Sequence, residues 1–405
     1  MKTSSLTAII IFVWFTISFA SIKIEPFKIY IDADYSNHFE SSFSIEQGLK
    51  VALQTTHSKL MGRPVEIIRK DHRGNSARSE RHIKHYLKDP KAIAMISGIH
   101  SPPLLALKEY INKNNVLFLV PWAAAGPITR YPSENNSIFR LSVDDSKAGT
   151  VIVDFAVKNK HYKKPYLLLE NTGWGKSNKK TMSAALNKHG VKDFHIKWFD
   201  WGLKETGAKA LLLDAIKLKC DSIILVGNAL EGQVICNTLA TFNNEQRLPL
   251  LSHWGIIGGD FYKKVPHKNR EKIDLHFIQT KFSFLNKNLN SFQQSVFVSA
   301  KKLYPEIQYK KDILAPTGFI HAYDLALLLI DASKNINPNL NITEIRSKVR
   351  IALENIEQPI QGLIKTYKKP FSKFSNLNMD AHEALGIEDF RMAKFGEKNE
   401  IKLVP

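Results

Sequence analysis

Apolar positions along this chain follow two alternating rhythms. Short runs that are apolar at nearly every position, at residues 92–97 and 116–120, read as strands buried on both faces, and further strands are expected at 27–34, 165–170 and 221–226. Between them, apolar residues recur three and four apart, which predicts helices over 43–59, 76–88, 147–160, 176–189, 207–219 and 231–242. The stretch 91–129 is the most informative. Its first apolar run ends in a loop at Gly98, Ser101 takes a helix N-cap position, and Pro102 stands first in the helix. Leu104, Leu107, Tyr110 and Ile111 follow at helical spacing, and the run 116–120 then leads into a second loop, 121–129. This is a β-α-β unit. Ligands collect at the carboxyl ends of strands in an open parallel sheet, so both loops should face one cleft.

Further strands are expected at 64–71, 138–141, 194–198 and 249–252, which extends the alternation across both halves. The pattern predicts an α/β protein of two doubly wound parallel-sheet lobes. Past residue 275 the order changes. A strand at 273–282 precedes helices at 290–303, 315–333 and 343–353, and strands at 390–395 and 401–404 flank a turn at 396–399. A chain of 405 residues also exceeds one comfortable core. The expected division is a signal peptide at 1–20, one lobe at 21–143 plus 275–355, and the other at 144–274 plus 356–405.

The first residues read as an export signal. Lys2 is basic, residues 6–19 are almost wholly apolar, and Ser18-Phe19-Ala20 offers a cleavage site of the small-x-small type. Cleavage after Ala20 would place a mature chain in the periplasm; the competing reading is an uncleaved membrane anchor, for which the apolar run is short. The formal charge of +19 comes from 57 basic and 38 acidic residues spread along the whole length. No basic helix or nucleic-acid motif stands out, so the charge reads as a solvated surface and no nucleic-acid partner is expected. Cys220 opens the strand at 221–226 and Cys236 lies in the next helix. The unequal rise of strand and helix keeps the two apart, so two buried free thiols are expected.

Several local patterns resemble one family. They are Gly62-Arg63-Pro64-Val65-Glu66 leading to Asp71, the Gly98-x-x-Ser101 loop, Phe139-Arg140, Asp145 with Gly149, the turn at 171–175, and His382-Glu383-Ala384-Leu385. In order and spacing the chain resembles a type I periplasmic solute-binding protein of ABC transporters, of the branched-chain amino acid, amide and urea group. The resemblance implies two lobes joined by a three-segment hinge around a cleft that closes on ligand. It also implies a non-enzymatic function: capture of a small organic molecule and delivery to an inner-membrane ABC permease, by a monomer or weak dimer without a cofactor.

The resemblance points to Ser101 as a ligand contact, although Pro102 and Pro103 remove two N–H donors beside it. The chain departs from the amino-acid-binding pattern in the second loop. Ala124 replaces a threonine and Trp122 a small residue, with Ala123 between them. Across the cleft, Trp174 takes the place of a tyrosine, and Trp254 falls near an acidic position. The three tryptophans either form a partly aromatic box or serve as ordinary packing. A box would suit flat rings, apolar groups or a soft cation. Asp145 either supplies a countercharge or caps the helix that follows.

Other patterns fail on their chemistry. Gly173-Trp174-Gly175-Lys176-Ser177 ends like a phosphate-binding loop, but Glu170 stands where the first glycine is required. His82 and His85 share a helix face with Arg78, Arg81 and Lys84, which would repel a dication, so no metal ligands are expected. No nucleophile elbow or zinc-protease motif is present, which sets an enzyme behind two other functions. One is transport. The other is a ligand sensor on the same scaffold that signals to a regulator or chemoreceptor.

Overall fold

The computed structural model describes residues 25–133, 135–259, 261–396 and 401–404. The expected signal at 1–20 and most of the turn at 396–399 lie outside the described residues. Two sheets organise the chain. The first comprises β1 (Phe27–Ala33), β2 (Lys59–Leu60), β3 (Arg63–Asp71), β4 (Ala92–Ser97), β5 (Phe118–Val120) and β6 (Ile138–Arg140), in the order β2-β3-β1-β4-β5-β6. Every pairing in it is parallel except the short edge pair β2–β3. The wholly apolar runs of β4 and β5 are buried at every position, as helices on both faces of a parallel sheet require.

The second sheet contains β7 (Pro165–Glu170), β8 (His195–Phe199), β9 (Ser222–Val226), β10 (Leu250–Ser252) and β11 (Leu275–Thr280). After a small hairpin, β12 (Ile360–Gln361) and β13 (Thr366–Tyr367), it is completed by β14 (Phe390–Phe395) and β15 (Ile401–Leu403). Its order is β15-β14-β11-β10-β9-β7-β8, and the β11–β14 and β14–β15 pairings are antiparallel. Both lobes are therefore mixed, mostly parallel sheets.

This arrangement corrects the expected division in two places. Residues 275–280 do not return to the first lobe; β11 stays in the second sheet, paired with β10 and β14. The return begins with the helix Ser291–Leu303, followed by Pro316–Ser333 and Ile342–Glu354, which pack against the first lobe. Residues 360–384 also stay with the first lobe, held by Asp324 of the helix Pro316–Ser333 and by Phe139 of β6. The chain thus crosses between lobes after β6, after β11 and after Ala384. The third crossing runs beside the first, where Arg140 and Glu383 form a parallel bridge. Both cysteines are buried and free.

Candidate functional site

The loops after β4 and β5 do meet. Gly98 packs the first of them against the end of β1, since a Cβ there would lie 2.8 Å from the Ala33 side chain. The next helix is Ser101–Lys113, with His100 rather than Ser101 at its N-cap and prolines at its second and third positions. Ser101 instead ties the two loops together: its Oγ accepts from the Ala125 N–H at 3.2 Å.

The second loop carries Trp122, Ala123 and Ala124, all buried. The Ala124 carbonyl accepts from the Asp145 N–H at 3.0 Å. Asp144, not Asp145, caps the helix Asp145–Asp154 by accepting from the Ser146 N–H. That leaves the Asp145 side chain free to face the second lobe. Its Oδ1 accepts from the Trp174 Nε1 at 3.2 Å, and His253 Nε2 lies 3.0 Å from the same oxygen but out of line for a hydrogen bond. His253 Nδ1 accepts from the Trp254 N–H, which fixes Nε2 as the protonated nitrogen. The Trp174 ring meets His253 edge-on, and Trp254 lies 6.0 Å from Trp122 and 4.9 Å from His321, centre to centre.

All seven residues expected at the site thus fall in one buried belt between the lobes. Three polar atoms in it have no hydrogen-bond partner among the described residues: Asp145 Oδ2, His253 Nε2 and Trp122 Nε1. Buried polar atoms are nearly always paired, because an unpaired one costs about 1–3 kcal/mol. One acceptor and two donors are therefore held ready in aromatic surroundings. The lobes also touch directly here, as the Gly126 N–H donates to Ser177 Oγ at 3.2 Å.

Sequence reasoning missed a second, polar group at the same interface. On the first lobe stand Asp34, His38, His72 and His100; on the second stand Glu170, Trp201 and Asn228. The His100 ring centre lies 4.7 Å from His38, 5.9 Å from His72 and 5.1 Å from Trp201. Gly74 (φ +71°) accommodates Trp201 from the first lobe, since a Cβ there would come within 2.8 Å of the indole. Burial pushes the His38 and His72 imidazoles down, to about 3 and about 4. Burial favours the neutral acid at Asp34, but His100 and Asn37 outweigh it and hold the carboxyl well below the usual range. At Glu170 burial outweighs the lowering effects of the Trp201 hydrogen bond and of His100 and pushes the carboxyl up to about 7, while Asn228 Nδ2 donates to it at 3.0 Å.

Two lobes, three crossings and a buried aromatic and polar belt between them define a hinged binding protein of type I. Residues 36–257 match the family model described as Periplasmic binding protein, more than half of the chain, and the protein belongs to that family. A curated relative, a Leu/Ile/Val-binding protein homologue from Brucella melitensis, is 28% identical over 89 residues, 22% of this chain. The match spans about a quarter of that relative's length, 24%. The fold is similar to a type 1 periplasmic binding protein from Bordetella pertussis (TM-score 0.77, 16% identity, 94% of this chain and 100% of that one). It is also similar to a solute-binding protein of an R. palustris ABC transporter in complex with benzoate (TM-score 0.75, 15% identity, 94% and 96%). Among the described residues, no helix is long and apolar enough to cross a membrane.

Proposed function

We propose that this protein is a periplasmic solute receptor. It captures a small organic molecule between its lobes and delivers it to an inner-membrane ABC permease, after export and cleavage behind Ala20. The observation that carries the reading is the set of unpaired buried atoms, Asp145 Oδ2, His253 Nε2 and Trp122 Nε1, within a belt of tryptophans. The belt suits a solute with a flat or apolar body, a hydrogen-bond donor or positive charge for Asp145, and an acceptor for the two ring N–H groups. Family membership and the bound small molecules of similar structures support capture rather than chemistry.

A thermal-shift screen over amino acids, amides, ureas, aromatic acids and betaines tests this. A ligand at a hundred times its Kd adds about 2.7 kcal/mol to stability and raises the melting temperature. The expected result is a clear shift with one chemical class. Turnover of plain esters or amides, with no shift from any class, would point to an enzyme instead.

A further inference from the structure

We propose that Asp34, His38 and His100 form a binding site for a divalent transition-metal ion of the zinc type. Three separate elements deliver the donors. Asp34 follows the carboxyl end of β1, His38 precedes the helix Phe39–Leu53, and His100 precedes the helix Ser101–Lys113. One ligand atom from each lies within 4.8 Å of the others, and all three residues are buried. His100 Nε2 and Asp34 Oδ2 are 3.2 Å apart. Zinc bonds of about 2.0–2.2 Å in a tetrahedron put neighbouring donors roughly 3.3–3.5 Å apart, so this pair already stands near the edge length a metal requires. The His38 donor, within 4.8 Å of the other two, would close in to complete the triangle. The ion would then replace the proton between His100 and Asp34.

The surroundings agree with this role. Both histidines hold N-cap positions, yet neither side chain caps its helix. Serine, threonine, asparagine and aspartate are the residues that serve a cap, so imidazoles here have no local backbone purpose. The carboxylate, by contrast, is oriented: the Asn37 N–H and Nδ2 donate to Asp34 Oδ1 at 2.9 and 3.2 Å, the kind of outer support that metal-ligating carboxylates carry. Two imidazole nitrogens and one carboxylate select zinc, cobalt, nickel or copper over calcium and magnesium, which take oxygen ligands. Three protein donors leave a fourth position open, and Trp201 of the second lobe covers His100 where the lobes meet. The metal is thus held by the first lobe alone, whichever solute the cleft takes.

The test uses the full mature chain, stripped with EDTA and dialysed, with Zn2+ in calorimetry and Co2+ in visible absorption. The expected result is one equivalent of Zn2+ and visible d–d bands from Co2+ in a low-symmetry nitrogen and oxygen site. His38→Gln and His100→Gln should each weaken Zn2+ at least about 10-fold, the scale of losing support at a metal site. His85→Gln, on the exposed face of the helix Ser76–Lys88, should leave the affinity unchanged. Circular dichroism establishes that each variant is folded; if one is not, the stoichiometry and Co2+ spectrum of the unaltered chain decide. Absence of one-to-one binding, or folded His38 and His100 variants that bind as tightly as the parent, would overturn the assignment.

Discussion

Arg140 and Glu383, 243 residues apart in sequence, form a buried ion pair where two interlobe crossings run side by side. Arg140 Nη2 lies 2.6 Å from Glu383 Oε1, and Nε lies 2.9 Å from Oε2. Arg140 also reaches Asp144 at 3.0 Å and donates to the Ala125 carbonyl at 2.9 Å. Burial pushes the Asp144 carboxyl up, but Arg140 and Arg130 outweigh it and hold it well below the usual range. One guanidinium therefore joins the hinge to the second loop of the site.

Removing one partner of a buried pair leaves the other charged and unpaired, at a cost of about 3–5 kcal/mol. Arg140→Ala and Glu383→Gln should each lose stability on that scale in urea unfolding. Arg140→Ala should also weaken ligand binding, because the carbonyls of Ala123 and Ala125 lose their donor. A loss below about 1 kcal/mol in both variants, the scale of an exposed ion pair, would show that the hinge does not depend on this contact.

Stability should fall as the pH drops below 7. His321 is wholly buried on Trp254; its Nδ1 faces the Pro121 carbonyl at 3.1 Å and its Nε2 faces the Thr280 hydroxyl at 3.2 Å. Neutral imidazole satisfies both partners as donor and acceptor. Burial pushes His321 down to about 3 from an ordinary value near 6.5. A group held neutral in the fold contributes stability that is present above about 6.5 and lost as pH falls toward its folded value. His38 and His72 act in the same direction, while Asp324, pushed up to about 6 by burial, and Glu170 act against them. The three histidines outweigh the two carboxyls. Between pH 7 and 5, His321 alone accounts for about 2 kcal/mol, so His321→Gln should unfold with a visibly shallower pH dependence. An unchanged slope would mean that His321 is not the neutral group described.

Much of this molecule is written in local pattern. The helix Ser76–Lys88 and the strands β4, β7 and β14 begin and end where apolar spacing places them, because each buries a continuous face. Elements with short or shared partners are harder to read. β11 belongs to the second sheet because of its pairing with β10 and β14, which no local rhythm records. The two-residue strands β12 and β13 carry too few positions for a pattern; Asp324, accepting from the Leu363 and Ile364 N–H groups and from the Tyr367 hydroxyl, secures that segment. At the site, the capping role falls to Asp144, which decides between the two roles open to Asp145. The group of Asp34, His38 and His100 was invisible because its members lie up to 66 positions apart and share no spacing motif.

Both thiols should be silent in the folded protein. Burial pushes Cys220 up to about 11 and Cys236 higher still, which removes the reactive thiolate at neutral pH. A thiol reagent should therefore label neither in native buffer and both after denaturation without reductant. Labelling that appears only once a reductant is added would reveal a disulfide.

The ligand should not be a standard α-amino acid. A zwitterion needs paired donors for its carboxylate and paired acceptors for its ammonium, and a site that lacks either loses orders of magnitude in affinity. Ala124 offers no hydroxyl, Trp254 no carboxylate, and Pro102 and Pro103 no N–H. Ser101 Oγ accepts from the Ala125 N–H, which leaves a single hydroxyl hydrogen in place of the paired donors a carboxylate requires. What the belt does offer is Asp145 Oδ2 beside three tryptophans, which favours a donor or soft cation on an aromatic or apolar body. Asp145→Asn and Trp174→Ala should each weaken the true ligand at least about ten-fold, about 1.4 kcal/mol, whereas Ser101→Ala should act mainly through loop stability. Calorimetry with leucine, isoleucine, valine and the other common amino acids is the decisive measurement. Micromolar binding of any one of them would sink the prediction, and an Asp145→Asn variant that still binds its ligand undiminished would move recognition elsewhere in the cleft.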